Sequence, residues 1–371
     1  MRAADPAWHD SRWRSAIRRG LLKWFAANAR ELPWRSDPTP YHVWVSEIML
    51  QQTQVATVID YFRRFTAAYP TIADLAAADE QQLMRLWEGL GYYRRARSLH
   101  AAAKLIVERH DGRFPDDYEA VLALPGIGRY TAGAILSISG DQRLPVLEGN
   151  TVRVFSRWGG FRGDVATTAA KATLWEIATA MLPQRGAGRF NQAAMELGAL
   201  VCKPKAPSCD RCPASAFCHA HRLGLEDEIP GRVTRITYSS RIEFGFVVPI
   251  IGQDRYLVCR VPTGERWAGL WDFPRWTAGD TDSSAIAAER LSEQLGSEVR
   301  PVSALTTIRH AVTRYRITLE VHRAAAIAAD SVKLPADTYR LLSRDQLGEL
   351  PLSVTGRKIA RLLDETSAGE T

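Results

Sequence analysis

Residues 118–136, YEAVLALPGIGRYTAGAIL, followed by residues 145–154, PVLEGNTVRV, decide how this chain folds. Apolar Val121, Leu122 and Leu124 lead into the turn Leu124-Pro125-Gly126-Ile127-Gly128, and Ile127, Ala132, Ile135 and Leu136 follow at helical spacing. The pattern predicts a helix, a tight turn and a second helix. Gly126 and Gly128 are expected to adopt backbone conformations that a side chain would forbid. The second helix starts with unpaired N–H groups at its positive dipole end, where an anion such as phosphate is favoured. Glu148 comes after apolar Val146-Leu147 and before Gly149-Asn150, which sets a carboxylate just ahead of another helix start. A carboxylate beside a phosphate-binding turn points to chemistry on a nucleic-acid sugar. The plainer reading is a helical hairpin with a capping acid.

The 371 residues are enough for two or three domains, and 46% hydrophobic residues are ample for packed cores. Forty-eight Lys and Arg against 41 Asp and Glu leave a net charge of +7, which favours a polyanionic partner. The start, MRAADPAWHDSRWRSAIRRG, has no apolar core of signal-peptide length, and no run approaches 18 apolar residues. A soluble, cytoplasmic monomer with no membrane partner is expected. Four of the five cysteines are crowded as Cys202-x6-Cys209-x2-Cys212-x5-Cys218. In a reducing compartment that crowding signals metal, and the spacing suits either tetrahedral zinc or an iron–sulfur cluster. Cys259, far downstream, reads as a plain core residue.

Taken in order, residues 11–29 read as an amphipathic helix and Arg30 to Pro40 as a proline-punctuated loop. Tyr41 to Thr57, YHVWVSEIMLQQTQVAT, reads as a mostly buried helix. Glu47 sits in its apolar half, where it is either paired to a buried arginine or functional. Gln51, Gln52 and Gln54 on the same helix either face solvent or contact base edges. Helices are expected over 57–68, 79–88 and 95–109. Between the last two, in EGLGYYRR, Leu90 and Tyr92 could wedge into a base stack or simply pack within the loop. Helices near 166–182 and 187–200 lead into the cysteines, and the charged stretch 222–240 reads as an interdomain linker. From 241 the period becomes two. A β-hairpin is expected from Phe244–Ile251 and Tyr256–Val261, then a helix over 284–295, a strand over 314–325 and a closing helix over 354–364.

Together, SEIMLQQTQV, LWEGLGYYRRAR, LPGIGRYTAGAIL, VLEGNTVRV, the four-cysteine loop and WAGLWDFP resemble the A/G-specific adenine DNA glycosylases of MutY type. The resemblance runs over roughly residues 12 to 365. It implies a multidomain chain: an all-α helix–hairpin–helix DNA glycosylase followed by an α+β Nudix-like domain. The iron–sulfur helical domain would be 1–29 with 140–225, the six-helix barrel 30–139, the linker 226–240 and the Nudix-like part 241–371. It implies one 4Fe–4S cluster on Cys202, Cys209, Cys212 and Cys218, and duplex DNA bearing adenine opposite 8-oxoguanine or guanine as the partner. The stretch AAERLSEQLG lacks the paired acids of a nucleotide-hydrolysing Nudix box, so the last domain is expected to read the opposite base.

By the same resemblance Glu47 is the general acid that protonates the adenine, and Glu148 steadies the cationic sugar. Tyr130 stands where relatives that cleave the strand carry a lysine, so no Schiff base is expected, and Tyr130 and Asn150 would orient carboxylate and sugar. Trp34, Arg35 and Gln192 would line the adenine pocket. Gln51, Gln52, Leu90, Tyr92, Gly126, Gly128 and Arg153 would touch DNA, with Gln52 and Tyr92 at the wedge positions. Two departures stand out. Glu148 replaces the family's aspartate, and a carboxylate moved by about an ångström can cost on the order of a hundredfold in rate. Thr307-Ile308-Arg309-His310 occupies the place given to the family's Phe-Ser-His loop. Arg309 offers only donors, so weaker preference for 8-oxoguanine over guanine is expected there. The rival readings are a same-fold glycosylase for another mispaired base and a non-catalytic mismatch binder.

Overall fold

The computed structural model describes residues 7–231, 237–262, 264–279, 282–312, 314–332 and 337–367. They divide into a helical unit, Met1–Ala78 with Arg97–Thr234, and an α+β unit, Asp79–Ala96 with Arg235–Thr371. No helix among the described residues is long and apolar enough to cross a membrane.

The helices in chain order are α1 (Ser11–Asn28), α2 (Pro33–Ser36), α3 (Pro40–Leu50), α4 (Val55–Ala68), α5 (Ile72–Ala77), α6 (Glu80–Trp87) and α7 (Arg94–His110). There follow α8 (Tyr118–Leu122), α9 (Arg129–Gly140), α10 (Gly149–Gly159), α11 (Thr168–Met181), α12 (Ala187–Leu200) and α13 (His219–Leu223). In the helical unit α9 is central: every residue from Thr131 to Ser137 is buried, and α3 and α12 pack against it. A second core joins α1, α10, α11 and α12 through Ile17, Leu21, Phe155, Trp158, Ile177, Phe190 and Leu197. Residues 226–231, the front of the expected linker, belong to this core. Ile229 is buried, Arg157 donates to its carbonyl, and Gly231 bridges Asp164. Residues 232–236 of that stretch lie outside the described residues.

The helix expected over 41–57 is shorter. Thr39 caps α3 and Pro40 opens it, but the helix stops at Leu50 because Gln51 turns to ψ 111° and Gln52 to φ 59°. Gln51, Gln52 and Gln54 therefore form a reversal between α3 and α4, with Gln54 as the N-cap of α4. At the α8–α9 turn Gly126 has φ 79°, and a Cβ there would meet Ser98 Cβ at 2.6 Å. Gly128 differs from expectation. Its φ of −107° is open to any residue, and a Cβ would meet nothing within 4 Å.

The α+β unit holds β1 (Ser239–Val247), β2 (Pro249–Ile250), β3 (Gln253–Arg260), β4 (Trp271–Asp272), β5 (Arg275–Thr277), α14 (Ser284–Leu295), β6 (Pro301–Val312), β7 (Tyr315–Ala324), β8 (Tyr339–Ser343), α15 (Arg344–Glu349) and α16 (Val354–Ser367). One sheet runs β5-β1-β7-β6, with β1 and β7 parallel; the other runs β2-β3-β4 with β8 on β3. The run expected as one hairpin arm, 244–251, is split between them. β1 ends at Val247, and Pro249, which has no N–H for a ladder, opens β2 in the second sheet. α6 and the loop after it fold with this unit. Arg357 of α16 holds Glu88, Arg85 donates to Gly348 O, and Trp271 donates to Gln81.

Candidate active site

The last turn of α3 brings Glu47 into an apolar wall, where its residue is 4% exposed. Burial is the main influence on its carboxyl and pushes its pKa up to about 7. The Tyr130 hydroxyl of α9 donates to Glu47 Oε2 at 2.5 Å and works against that rise, Glu148 adds to it, and Arg35 opposes it. The Tyr130 phenol is itself held well above its ordinary pKa by burial, so it stays protonated and donates.

Glu148 is the N-cap of α10. Its two carboxylate oxygens accept from the backbone N–H of Asn150 (2.8 Å) and Thr151 (2.9 Å), and Thr151 Oγ1 accepts from Glu148 N–H at 2.8 Å. The side chain folds back onto its own helix end. Burial is the largest influence on this carboxyl too and leaves its pKa raised, although the Asn150 and Thr151 N–H groups and the Arg153 charge work against the rise. A capping role is therefore shown for this side chain. Glu47 and Glu148 line a single cavity of about 500 Å³, with Tyr130, Asn150, Trp34 and Gln192 also in its wall. Burial raises both acids, and only Glu148 has backbone N–H groups working against that rise.

In the same cavity wall, Glu196 of α12 is 1% exposed. Burial alone would raise its pKa, yet hydrogen bonds from Arg30 and Arg35 override that and hold it at about 2. Arg35 spans Glu196, at 2.9 Å, and Gln192 Oε1, at 3.1 Å, which fixes the Gln192 amide. Sequence reasoning passed over Glu196, although the signal that marked Glu47 (a lone acid in an apolar helical run, AAMELGAL) is equally present there.

Arg153 is held by neighbouring acceptors. Its guanidinium donates to Cys202 O (2.6 Å), Gly149 O (3.2 Å), Gly198 O (2.8 Å) and Asn150 Oδ1 (2.9 Å), so it ties α10 to α12 and the cysteine loop. The close approach needs Gly198, since a Cβ there would lie 2.6 Å from Asn150 Cβ. Of the other DNA-contact candidates, Gln51 and Gln52 line the cavity. Gly126 and Gly128 form the turn before α9. In the α+β unit Leu90 is 5% exposed and points into packed structure, so it offers no wedge as it stands. Tyr92 is 47% exposed, with φ 49°.

Arg309 and His310 do not lie in a loop. They pair with Thr318 and Ile317 inside the β6–β7 ladder, and the His310 ring packs on Trp267 at 5.9 Å. β6 ends at Val312 and β7 begins at Tyr315, so the reversal falls beyond Val312, with exposed Arg314 leading into β7. The weaker preference for 8-oxoguanine is argued from Arg309 in a loop, and Arg309 stands in a strand.

The four clustered cysteines border one small hollow. Arg157 Nη1 lies 3.3 Å from Cys202 Sγ, and backbone N–H groups of Ala214 and of Ala220 and His221 aim at the Cys212 and Cys218 sulfurs. Burial pushes the Cys212 thiol up to about 12 and the Cys209 thiol to about 11. The N–H groups aimed at the Cys212 and Cys218 sulfurs suit thiolate ligands. Cys209, His221 and Glu226 also place donor atoms within 4.8 Å of one another, a mixed set offering fewer sulfurs.

A helix–hairpin–helix base excision DNA repair signature (HhH-GPD) matches residues 45–179, and a Nudix domain signature matches residues 246–362. The adenine DNA glycosylase of Rattus norvegicus is 33% identical over 408 residues, covering 96% of this chain and 79% of the relative. The chain belongs to the adenine DNA glycosylase family. The Buchnera aphidicola (subsp. Schizaphis graminum) adenine DNA glycosylase is 43% identical over 257 residues, covering 69% of this chain and 74% of the relative. A thermostable thymine-DNA glycosylase matches in structure with TM-score 0.53 and 26% identity, over 57% of this chain and 98% of its own. The fold is therefore an endonuclease III-like helical part with a Nudix-like α+β part, and the activity is that of a base excision glycosylase acting on N-glycosyl bonds of adenine.

Proposed function

We propose that the substrate is adenine opposite 8-oxoguanine, or opposite guanine, in duplex DNA. The carrying observation is the shared cavity of Glu47 and Glu148, one acid with its pKa at about 7 and the other held by backbone N–H groups. Adenine leaves the stack, at a cost of a few kcal/mol, and enters the cavity edged by Trp34, Arg35 and Gln192. Glu47, its other oxygen held by the Tyr130 phenol, gives a proton to the ring so that the base departs neutral. Positive charge grows on the sugar and Glu148 faces it, with Asn150 and Tyr130 setting its approach. Tyr130 cannot form a Schiff base, so the strand is left uncut. Gln52 and Tyr92 act as wedges, and the Gly126–Gly128 turn with the free N–H groups of α9 takes a phosphate.

Cys202, Cys209, Cys212 and Cys218 would hold one 4Fe–4S cluster, which supplies a rigid anchor for the loop carrying Lys203, Lys205 and Arg211. The opposite base is read by the β6–β7 reversal with Arg314, and the protein acts as a monomer of four functional parts: barrel, iron–sulfur domain, linker and Nudix-like reader. The test is single-turnover excision on duplexes bearing A:8-oxoguanine, A:G and T:G, scored as alkali-labile sites. Excision of adenine that disappears in Glu47→Gln while duplex binding persists is the expected result. Release of thymine from T:G, or binding without any base release, would support the two rival readings instead.

A further inference from the structure

The loop Gly89–Tyr93 lies, in sequence, between helices of the barrel part, yet its fastenings come from the α+β unit. Glu88 closes α6, and Arg357 of α16 grips it with two hydrogen bonds, Nε to Oε1 at 2.6 Å and Nη2 to Oε2 at 3.0 Å. Arg357 also donates to Leu347 O (2.7 Å) and Leu350 O (2.6 Å), so the whole guanidinium is committed to one geometry. Arg85 adds a bond to Glu88 (3.2 Å) and one to Gly348 O (3.1 Å). Downstream, Arg95 Nη2 donates to Leu90 O and Gly91 O, both at 3.1 Å, and its guanidinium lies 5.6 Å from the Tyr92 ring centre. Between these anchors Gly89 and Gly91 have φ of 100° and 71°, and Tyr92 itself has φ 49°, a left-handed backbone that a bulky residue adopts only where its surroundings impose it. The half-exposed Tyr92 ring is thus presented by a loop bolted to the C-terminal helices.

We propose that Glu88 and Arg357 are positioning residues that hold the Gly89–Tyr93 loop so that Tyr92 can enter the duplex. This rests on the reading of Tyr92 as a wedge. It makes the Nudix-like part responsible for opening the base stack as well as for reading the opposite base. A buried bidentate pair acting only on stability would lower the unfolding temperature and leave the stacking of DNA alone.

The test uses the full chain and a duplex with 2-aminopurine beside the A:8-oxoguanine pair, whose fluorescence rises on unstacking. Arg357→Ala and the shape-preserving Glu88→Gln are compared with Tyr92→Ala and with the Arg357→Ala/Tyr92→Ala double variant. Should Arg357→Ala fail to fold, Glu88→Gln and its double with Tyr92→Ala decide. Expected are duplex affinity within about threefold of wild type, a fluorescence rise cut at least about threefold, and excision slowed at least about tenfold. The double variant should be no slower than Tyr92→Ala alone. Full fluorescence in both single variants, or losses that multiply in the double, would overturn the proposal. If Tyr92→Ala changes neither readout while Glu47→Gln abolishes excision, this inference falls and the active-site reading stands. Excision surviving in Glu47→Gln brings down that reading itself.

Discussion

Two helix ends face the same cavity and treat a glutamate in opposite ways. At the end of α3, Glu47 is buried in a run with Trp44, Val45, Ile48 and Met49 and accepts from the Tyr130 phenol, and burial pushes its carboxyl up to about 7. At the start of α10, Glu148 receives two backbone N–H groups and stands at a positive dipole end, both of which favour the ionised form against the burial that raises its carboxyl. The same side chain thus meets burial with or without backbone N–H groups to oppose it, according to which end of a helix holds it. In the proposed mechanism that difference divides the labour, with Glu47 giving the proton and Glu148 carrying the charge.

The comparison breaks most visibly at Glu47. Replacing it with Gln should cut single-turnover excision by on the order of a thousandfold, with duplex affinity little changed. The second effect belongs to Glu148→Asp. The shorter acid still reaches the α10 N–H groups, as aspartate does at N-caps generally, and should move its charge toward the sugar. Excision is expected to rise by about tenfold to a hundredfold with no loss of thermal stability; an unchanged rate would show that the folded-back cap already sits where the charge is needed. The third is the pH profile. Because the Glu47 carboxyl gives up its proton at about 7, excision should hold steady below that pH and fall about tenfold per unit above it, and the descent should vanish in Glu47→Gln.

The fourth concerns stability. A carboxyl raised from 4.5 to about 7 on folding favours the native state fully below pH 4.5 and loses that contribution as pH rises through 7. At pH 8 the buried ionised Glu47 is therefore a liability of up to about 3 kcal/mol. Glu47→Gln should melt higher than wild type at pH 8, and the gap should close at pH 5. Smallest is Thr151→Val, which removes the reciprocal half of the Glu148 cap and should cost about 1 kcal/mol.

What the sequence made legible follows the range over which each signal acts. Glu47 could be picked out because its environment is its own helix, and the Gly126 turn because its backbone demand is local. The stop of α3 at Leu50 was hidden: QQTQ contains neither glycine nor proline, yet the exposed Gln52 takes φ 59°. The acceptors of Arg153 could not be seen locally, since they come from residues up to 49 positions away. The same holds for Glu88 and Arg357, which are 269 residues apart and reveal nothing of each other in local pattern. That Arg309 stands in a strand rather than a loop was hidden too, because the ladder to β7 is a long-range fact and TTIRHAV reads equally well as a connection.

The Arg35 link to Gln192 sets a polarity in the cavity wall. With the amide oxygen of Gln192 receiving the guanidinium, its NH2 group is the end turned free to give a hydrogen. If adenine enters as proposed, a ring nitrogen bearing a lone pair meets a donor at that point. Glu196, which shares the wall, grips the same guanidinium and so helps to keep the amide from turning round.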